Sequence, residues 1–346
     1  IIGGYGSRII DTRWKGGFTQ KYILETNDAT RVIHTKKNPN GSSAWWVLDN
    51  TTDNDDNWGY SYDTETTTHY FVSKAWDYFR NTFGRTGQNN ASREIRVRTQ
   101  WNQNNADFVP EGGSNNTLRF GYTSSGGHYG AEPSVVAHEF THGVTYHSSN
   151  LNYSHESGAL NESFSDIFGI VIQAVMLDGG NTDWIYGNFV ANPIQKQRSL
   201  KSPKLFGEHL DVNNTLNVGQ PDTYNQQYWY SGTLDNGGVH INSGVQNKWF
   251  YILAHGENGS NDLNNYYQIN GIGMSKAARI AYLALTSILI NSSQYSDSRQ
   301  ATITAAKDLY GECSIEHQAT IDSWYAVGIG NLNSCTYTLS IDNLTN

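Results

Sequence analysis

Pro133-Ser134-Val135-Val136-Ala137-His138-Glu139-Phe140-Thr141-His142-Gly143-Val144-Thr145 is the stretch on which the reading of this chain turns. A helix advances about 100° per residue, so His138 and His142 leave one face, about 40° apart and one turn removed from each other. Two imidazole nitrogens so placed can share one tetrahedral zinc ion. Glu139 sits beside the first histidine, within reach of a water activated at the metal, where a general base belongs. Pro133 suits a first helical turn, and Val135, Val136, Ala137, Phe140 and Val144 supply a face to bury.

A second amphipathic helix is expected from about Glu156 to Leu177, with Leu160, Phe164, Ile167, Phe168 and Val171 at helical spacing. It carries Glu162 and, one turn further along the same face, Asp166. Taken alone, Glu162 reads as a solvated helix residue; behind the histidine pair it becomes the third zinc ligand, leaving the fourth position open for water. Asp166 is then placed to hold the free N–H of a liganding histidine. His147 lies about 140° around the helix from His142 and points elsewhere. His155 falls in the connecting loop, where geometry leaves it open as a ligand.

Three blocks, VVAHEFTHGVT (135–145), ESGALNESFSDIFG (156–169) and DNGGVHINSG (235–244), resemble in sequence and order the thermolysin family of secreted zinc endopeptidases. The likeness extends with gaps over about residues 45–330. Zinc aminopeptidases sharing the first motif usually place the glutamate one residue closer and carry Gly-x-Met-Glu-Asn, which is absent here. The metzincin pattern would need glycine and histidine where the chain has Thr145 and Ser148. The fold class expected is α+β, a two-domain thermolysin-like architecture. Its parts are a β-rich domain (1–132), a central zinc helix at the junction (133–149), a mainly α-helical domain (150–330) and a tail (331–346).

Composition agrees with that division. The first 130 residues are rich in Tyr, Trp, Thr, Val, Gly and Asn, with alternating runs at 21–26 and 94–99 and one helix near His69–Phe83. Helical periodicity returns at 241–256, 274–290, 297–309 and 314–326. A junction between such halves is where a cleft forms. The net charge of −9 and the lack of a basic run argue against nucleic acid or an anionic membrane as partner, and no stretch has the roughly 20 apolar residues of a membrane helix.

The resemblance also implies roles. His240, oriented and kept charged by Asp235, and Tyr153 would donate to the oxyanion; Arg198 would bind the substrate carbonyl after the scissile bond. Asn105 and Ala106 would pair with the substrate backbone as an added strand. Asp107 and Phe108 depart from the family's usual Phe-Trp, which puts the subsites before the cleaved bond in doubt. Val135 and Val190 match apolar positions of the pocket beyond it, where Gln197 replaces a frequent Leu; a hydrophobic residue is still expected there. The family's calcium site behind the zinc helix is expected to be lost, because its acids read Ser134, Gln173, Ile185 and Asn188, leaving Asp183. Asp53, Asp55 and Asn57 form a candidate loop for one structural calcium ion, with an ordinary acidic turn as the alternative.

The expected protein is therefore a monomeric, secreted zinc endopeptidase acting on protein or peptide substrates. Its opening at Ile1 without Met or leader fits a mature form, as the resemblance implies, freed from its own propeptide. Cys313 and Cys335 are either one disulfide or two free thiols, and the tail beyond Gly330 is a pinned strand or the stub of a linker. The rivals are an exopeptidase, disfavoured by the glutamate spacing, and a catalytically silent binding protein, which would have lost Glu139 or His240.

Overall fold

The computed structural model describes residues 13–15, 21–23, 25–27, 31–37, 49–50, 52–53, 63–111, 115–123, 126–176, 182–188, 197–210 and 216–332. Strands β1 (Arg13–Lys15), β2 (Lys21–Ile23), β3 (Glu25–Asn27), β4 (Val32–Lys37), β5 (Asp49–Asn50) and β6 (Thr52–Asp53) precede helix α1 (Asp63–Phe83). Strands β7 (Ile95–Thr99), β8 (Ala106–Glu111) and β9 (Asn115–Phe120) follow it. A small sheet has the order β1-β2-β6; the larger runs β3-β4-β7-β9-β8, with β5 also on β4. Strands β4 and β7 are parallel, so the chain must cross over between them, and α1 provides the crossover.

Alternation decides which face is buried. Ile33, Val97 and Leu118 point inward, each 0 % exposed, into one core that also holds Val72, Ala75 and Trp76 of α1. Buried His69 of α1 ties the helix to the sheet, its two ring nitrogens lying 2.9 Å from the hydroxyls of Thr26 and Thr35. Strand β8 runs antiparallel to β9 at the sheet margin, in the register Ala106↔Phe120, and its outer edge pairs with no strand among the described residues.

The carboxyl part is helical. Helices α2 (Pro133–Tyr146) and α3 (His155–Met176) are followed by strand pairs β10 (Ile185–Tyr186) with β11 (Arg198–Ser199), and β12 (Glu208–Leu210) with β13 (Leu216–Val218). Next come α4 (Asp235–Asn242), α5 (Gly244–His255), the hairpin β14 (Gly256–Ser260) and β15 (Tyr266–Asn270), and helices α6 (Met274–Leu283), α7 (Tyr295–Tyr310) and α8 (Ile315–Ala326). The architecture is thus α+β in two parts, sheet-containing then helical, with α2 between them.

Several element boundaries differ from those read in the sequence. Helix α1 starts at Asp63, six residues before His69, because polar Thr residues hid its first turns. The run 241–256 is two helices, parted at Ser243. Residues 284–288 widen to a π turn at the end of α6. The stretch 21–26 divides between two sheets, β2 in one and β3 in the other. Among the described residues no helix is long and apolar enough to cross a membrane.

Candidate active site

Helix α2 is fixed from behind before it presents anything in front. Phe140 stacks on Phe79 of α1 at 5.6 Å between ring centroids, and Phe79 meets Phe168 of α3 at 5.3 Å. Helix α3 approaches closely because residue 169 is glycine: a Cβ there would lie 2.7 Å from the Ser134 carbonyl oxygen. Glu162, Asp166 and Gly169 follow at i, i+4 and i+7, so all three share the face turned to α2.

That approach assembles the three expected ligands. Nitrogen and oxygen atoms of His138, His142 and Glu162 lie within 4.8 Å of one another. Glu162 is fully buried; its Oε2 is 3.4 Å from His138 Nε2, and its Oε1 is 3.4 Å from His142 Nε2. His138 directs Nδ1 at Asp166 Oδ1 (2.9 Å), and His142 directs Nδ1 at Asn161 Oδ1 (2.8 Å). With the His142 Nδ1 proton given to Asn161 and the His138 Nδ1 set beside the Asp166 carboxylate, the tautomer that turns each Nε2 lone pair inward is favoured. The two Nε2 atoms stand 2.9 Å apart, and Glu162 Oε2 accepts no hydrogen bond. Lone pairs and a buried carboxylate brought together in this way call for a cation. Two imidazoles and one carboxylate, with no fourth protein ligand among them, fit zinc in an open site.

Asp166 is the anchor behind this trio. It accepts hydrogen bonds from Arg198 Nε (2.8 Å), Arg198 Nη2 (2.6 Å) and Asn247 Nδ2 (2.8 Å). Burial pushes its carboxyl up, but the Arg198 charge and the bond from His138 outweigh that and hold it at about 2. Arg198, 5 % exposed, also lies over the Tyr186 ring, its guanidinium carbon 4.1 Å from the centroid. Arg198 thus makes a buried ion pair and also lines the cleft.

The cleft has a volume of about 550 Å³ and is walled by β8 on one side and by His240 and Tyr153 on the other. Glu139 lines it beside the trio, and Asn105 and Ala106 lie at its β8 wall. Burial pushes the Glu139 carboxyl up to about 8; His142 opposes the rise, while Asp107 and Glu162 add to it. The Tyr153 hydroxyl donates to Glu162 Oε1 and stands 3.1 Å from His240 Nε2. Burial, then the Glu162 charge, raises the Tyr153 phenol, so it stays protonated.

His240 is aimed by an unusual turn. Asp235, Asn236, Gly237 and Gly238 have φ of 52°, 50°, 88° and 81°, four left-handed residues in succession. Glycine adopts this freely and asparagine tolerates it, which is why the sequence reads Asn-Gly-Gly. The turn returns the Asp235 carboxylate onto His240, with Oδ1 2.6 Å from Nδ1 and Oδ2 accepting the His240 backbone N–H at 2.8 Å.

Other candidates fall elsewhere. His147 turns to Asn116 (2.9 Å), away from the trio, as its helical position requires. His155 is no ligand of this cluster and no loop residue: it opens α3, contacts Ser154 Oγ at 2.7 Å and leaves the metal to Glu162. Behind α2, Ser134 Oγ donates to Glu132 Oε1 (2.9 Å) and accepts from Gly187 N (3.0 Å); Asn188 donates to Asp183 Oδ2. Gln197 Nε2 reaches the Gly187 carbonyl (3.2 Å) and Asn188 Oδ1 (3.1 Å). Val190, Asp55, Asn57 and Cys335 lie outside the described residues, and of Asp53 only the backbone is described. The sequence reading missed Asn161, Asn247 and Tyr186. Asn161, next to Glu162 on a helix facing the histidines, offered a signal; the other two are far from the motif in the chain and offered none.

Two family models match the chain: "Thermolysin metallopeptidase, catalytic domain" over residues 6–146 and "Thermolysin metallopeptidase, alpha-helical domain" over residues 149–329. Bacillolysin of Bacillus cereus is 35% identical over 316 residues, covering 89% of this chain and 51% of the relative. Thermostable neutral protease NprT of Geobacillus stearothermophilus is 34% identical over 320 residues, 89% of this chain and 53% of its own. Thermolysin of Alicyclobacillus acidocaldarius is 33% identical over 285 residues, 80% and 47% respectively. The chain therefore spans about half the length of these curated relatives. Among solved structures, the precursor of protealysin, a metalloproteinase from Serratia proteamaculans, matches with a TM-score of 0.68 over 89% of this chain and 90% of that one; at 22% identity it shows the shared fold.

Proposed function

The chain belongs to the thermolysin metallopeptidase family, and from that premise we propose that it is a secreted zinc endopeptidase that cuts protein and peptide chains. The observation that carries the proposal is the meeting, in one cleft, of the His138–His142–Glu162 trio, a buried Glu139 and the Tyr153–His240 pair. A silent binding protein would have no use for a buried carboxylate and two aimed donors around a cation site.

In this reading His138, His142 and Glu162 hold one zinc ion, which supplies Lewis-acid polarisation and acidified water when bound. Glu139 takes the proton of the attacking water and returns it to the leaving amine; its burial in the cleft raises its affinity for that proton above that of a solvated carboxylate. Tyr153 and His240 donate to the carbonyl oxygen as it gains charge. Asp235 holds the His240 ring in place; burial lowers the ring's pKa, but the Glu162 charge and then the Asp235 bond outweigh it and raise it above the usual imidazole value. Arg198 receives the carbonyl beyond the cleaved bond, and the β8 edge at Asn105–Ala106, which pairs with no other strand among the described residues, pairs with the substrate backbone.

The apolar residue expected after the scissile bond, export, release from a propeptide and a monomeric state belong to the same proposal. So do the divisions 1–132, 133–149, 150–330 and 331–346. A Cys313–Cys335 bridge is included too; no cysteine among the described residues is free. Calcium at the Asp53–Asn57 loop completes it.

The direct test is incubation of the zinc-loaded protein with denatured casein, with and without a zinc chelator. Internal cleavage that stops with chelator and returns with added zinc is expected. Release of single terminal residues, or unchanged cleavage in chelator at full zinc removal, would overturn the proposal.

A further inference from the structure

Gln220 has no place in the reaction just proposed, yet a slot is built around its side chain. It is 1 % exposed, and two glycines make the room. A Cβ on Gly207 would lie 2.8 Å from the Gln220 Cγ, and one on Gly244 would lie 2.7 Å from its Cβ. Its backbone N–H donates to the Pro203 carbonyl at 3.0 Å, which fixes the segment. From there Gln220 Nε2 donates to the His240 carbonyl oxygen at 2.7 Å and to Ser243 Oγ at 3.2 Å. Ser243 Oγ donates in turn to the same carbonyl at 3.2 Å. The amide cannot be reversed, because its oxygen would then face the carbonyl oxygen.

That carbonyl is a sensitive place to hold. The His240 ring projects into the cleft, so the backbone on either side sets its aim. On the amino side stand the four left-handed residues 235–238, and their entry is fixed. Gly237 and Gly238 donate to the Leu234 carbonyl at 2.9 and 3.0 Å, and the Leu234 N–H donates to the Tyr230 hydroxyl at 3.0 Å. On the carboxyl side α4 ends two residues later, and carbonyls in a last helical turn need partners from elsewhere. Gln220 supplies one from 20 positions away in the chain. Left-handed Asp235 and Asn236 carry strain that persists only where the surroundings hold it.

We propose that Gln220 is a positioning residue for the oxyanion donor His240: its amide secures the strained turn from the carboxyl side and keeps the ring aimed at the reacting carbonyl. The inference rests on the endopeptidase reading, in which His240 donates to that oxygen. Gln220 belongs neither to the zinc trio nor to the lining of the cleft, so it acts through His240.

Gln220→Met keeps the length of the side chain and removes its donors. In zinc-loaded protein acting on an internally quenched peptide, it should lower kcat about tenfold with KM within about twofold, a smaller loss than that of His240→Ala. In a His240→Ala background the same change should lower kcat less than about twofold, because the group being aimed is gone. Gln220→Glu, whose carboxylate fits the slot and cannot donate, should follow Gln220→Met. Amide hydrogen exchange should quicken about tenfold over residues 235–243 in both variants and stay unchanged over 133–146. Zinc content and circular dichroism establish that each variant is folded. A kcat of wild-type size in either folded variant overturns the positioning role, and so does an equal loss with and without His240. Collapse of both variants would make Gln220 a residue of the fold at large and overturn it too. These results leave the endopeptidase reading standing, whereas no cleavage by zinc-loaded wild type overturns the two together.

Discussion

Replacing Asp166 with Asn tests how the site is held, because the change keeps shape and removes one charge. In the folded protein that charge answers a buried guanidinium, bonded at 2.8 Å and 2.6 Å, and orients His138 across 2.9 Å. With it gone, Arg198 remains 5 % exposed, and the nearest other anion is Glu162, whose Oε2 is 3.9 Å from Nη2. Two effects follow. Breaking a buried pair from one side costs about 3–5 kcal/mol, since the surviving charge stays desolvated. Zinc should bind about 10–100-fold more weakly, because His138 loses the partner that fixes its tautomer and Arg198 draws on the carboxylate that should face the metal.

The two effects separate experimentally. Urea unfolding in excess chelator reads the stability of the metal-free fold, free of the linkage that bound zinc adds. Competitive titration against a zinc indicator reads affinity. A second variant, Asp166→Asn with Arg198→Met, removes both charges and should be clearly more stable than Asp166→Asn alone. A change below about 1 kcal/mol in the single variant, with zinc affinity within about twofold of wild type, would refute the idea that this pair anchors the site.

Three further outcomes are expected. Glu139→Gln should keep zinc and fold while turnover falls by about 10²–10⁴, and His240→Ala should lose about 10²–10³ without losing zinc; a fast metal-loaded Glu139→Gln enzyme, or a zinc-free His240→Ala, would contradict the assigned roles. Burial, then the Arg31 and His34 charges, lowers His69 to about 3, so the unfolded chain takes up a proton near pH 6.5 that the fold refuses. Its contribution is complete above about pH 6.5 and is lost as pH falls toward 3, at about 1.4 kcal/mol per pH unit; His69→Gln should flatten the stability profile by that slope, and an unchanged profile would disprove it. Elemental analysis of desalted protein should find one zinc and at most about one calcium per chain, whereas two or more tightly held calcium ions, one beside Asp183, would show that the neutral residues behind α2 do not abolish that site.

What the sequence disclosed, and what it withheld, follows from the range over which each interaction acts. His138, His142, Glu162 and Asp166 were legible because helical periodicity places them within one or two elements, and the wheel also sent His147 away. Arg198 was legible as a residue but its bond to Asp166 was not, since the two are 32 positions apart and joined only by packing. Asn247, 81 positions from Asp166, is a stronger case of the same kind. Residues 257–270 lie between two helical runs and carry no element in the sequence reading, yet Gly256–Ser260 and Tyr266–Asn270 pair as β14 and β15, where cross-strand contacts override weak local preference. Ser243 falls inside a helical run of the sequence reading, whereas the structure parts α4 from α5 there.

The departures from the family pattern also have a physical order. They avoid the trio, Glu139, Tyr153 and His240, where donors must stay within a fraction of an ångström of the reacting atoms. They gather instead at the cleft rim, in Asp107, Phe108 and Gln197, and behind α2, in Ser134, Gln173 and Asn188. At the rim, a change of side chain alters which substrate fits and leaves proton transfer untouched. Behind α2, acids facing one another need a dication to relieve their repulsion, whereas hydroxyl and amide groups can meet by donating and accepting. The bonds Ser134–Glu132, Gly187–Ser134, Asn188–Asp183 and Gln197–Asn188 form such a mesh, and it links the start of α2 to the segment carrying Tyr186. The mesh thus ties these segments through hydroxyl, amide and backbone donors with two carboxylates, Glu132 and Asp183, as acceptors, and Asp183 also takes the backbone N–H of Ile185 at 3.0 Å.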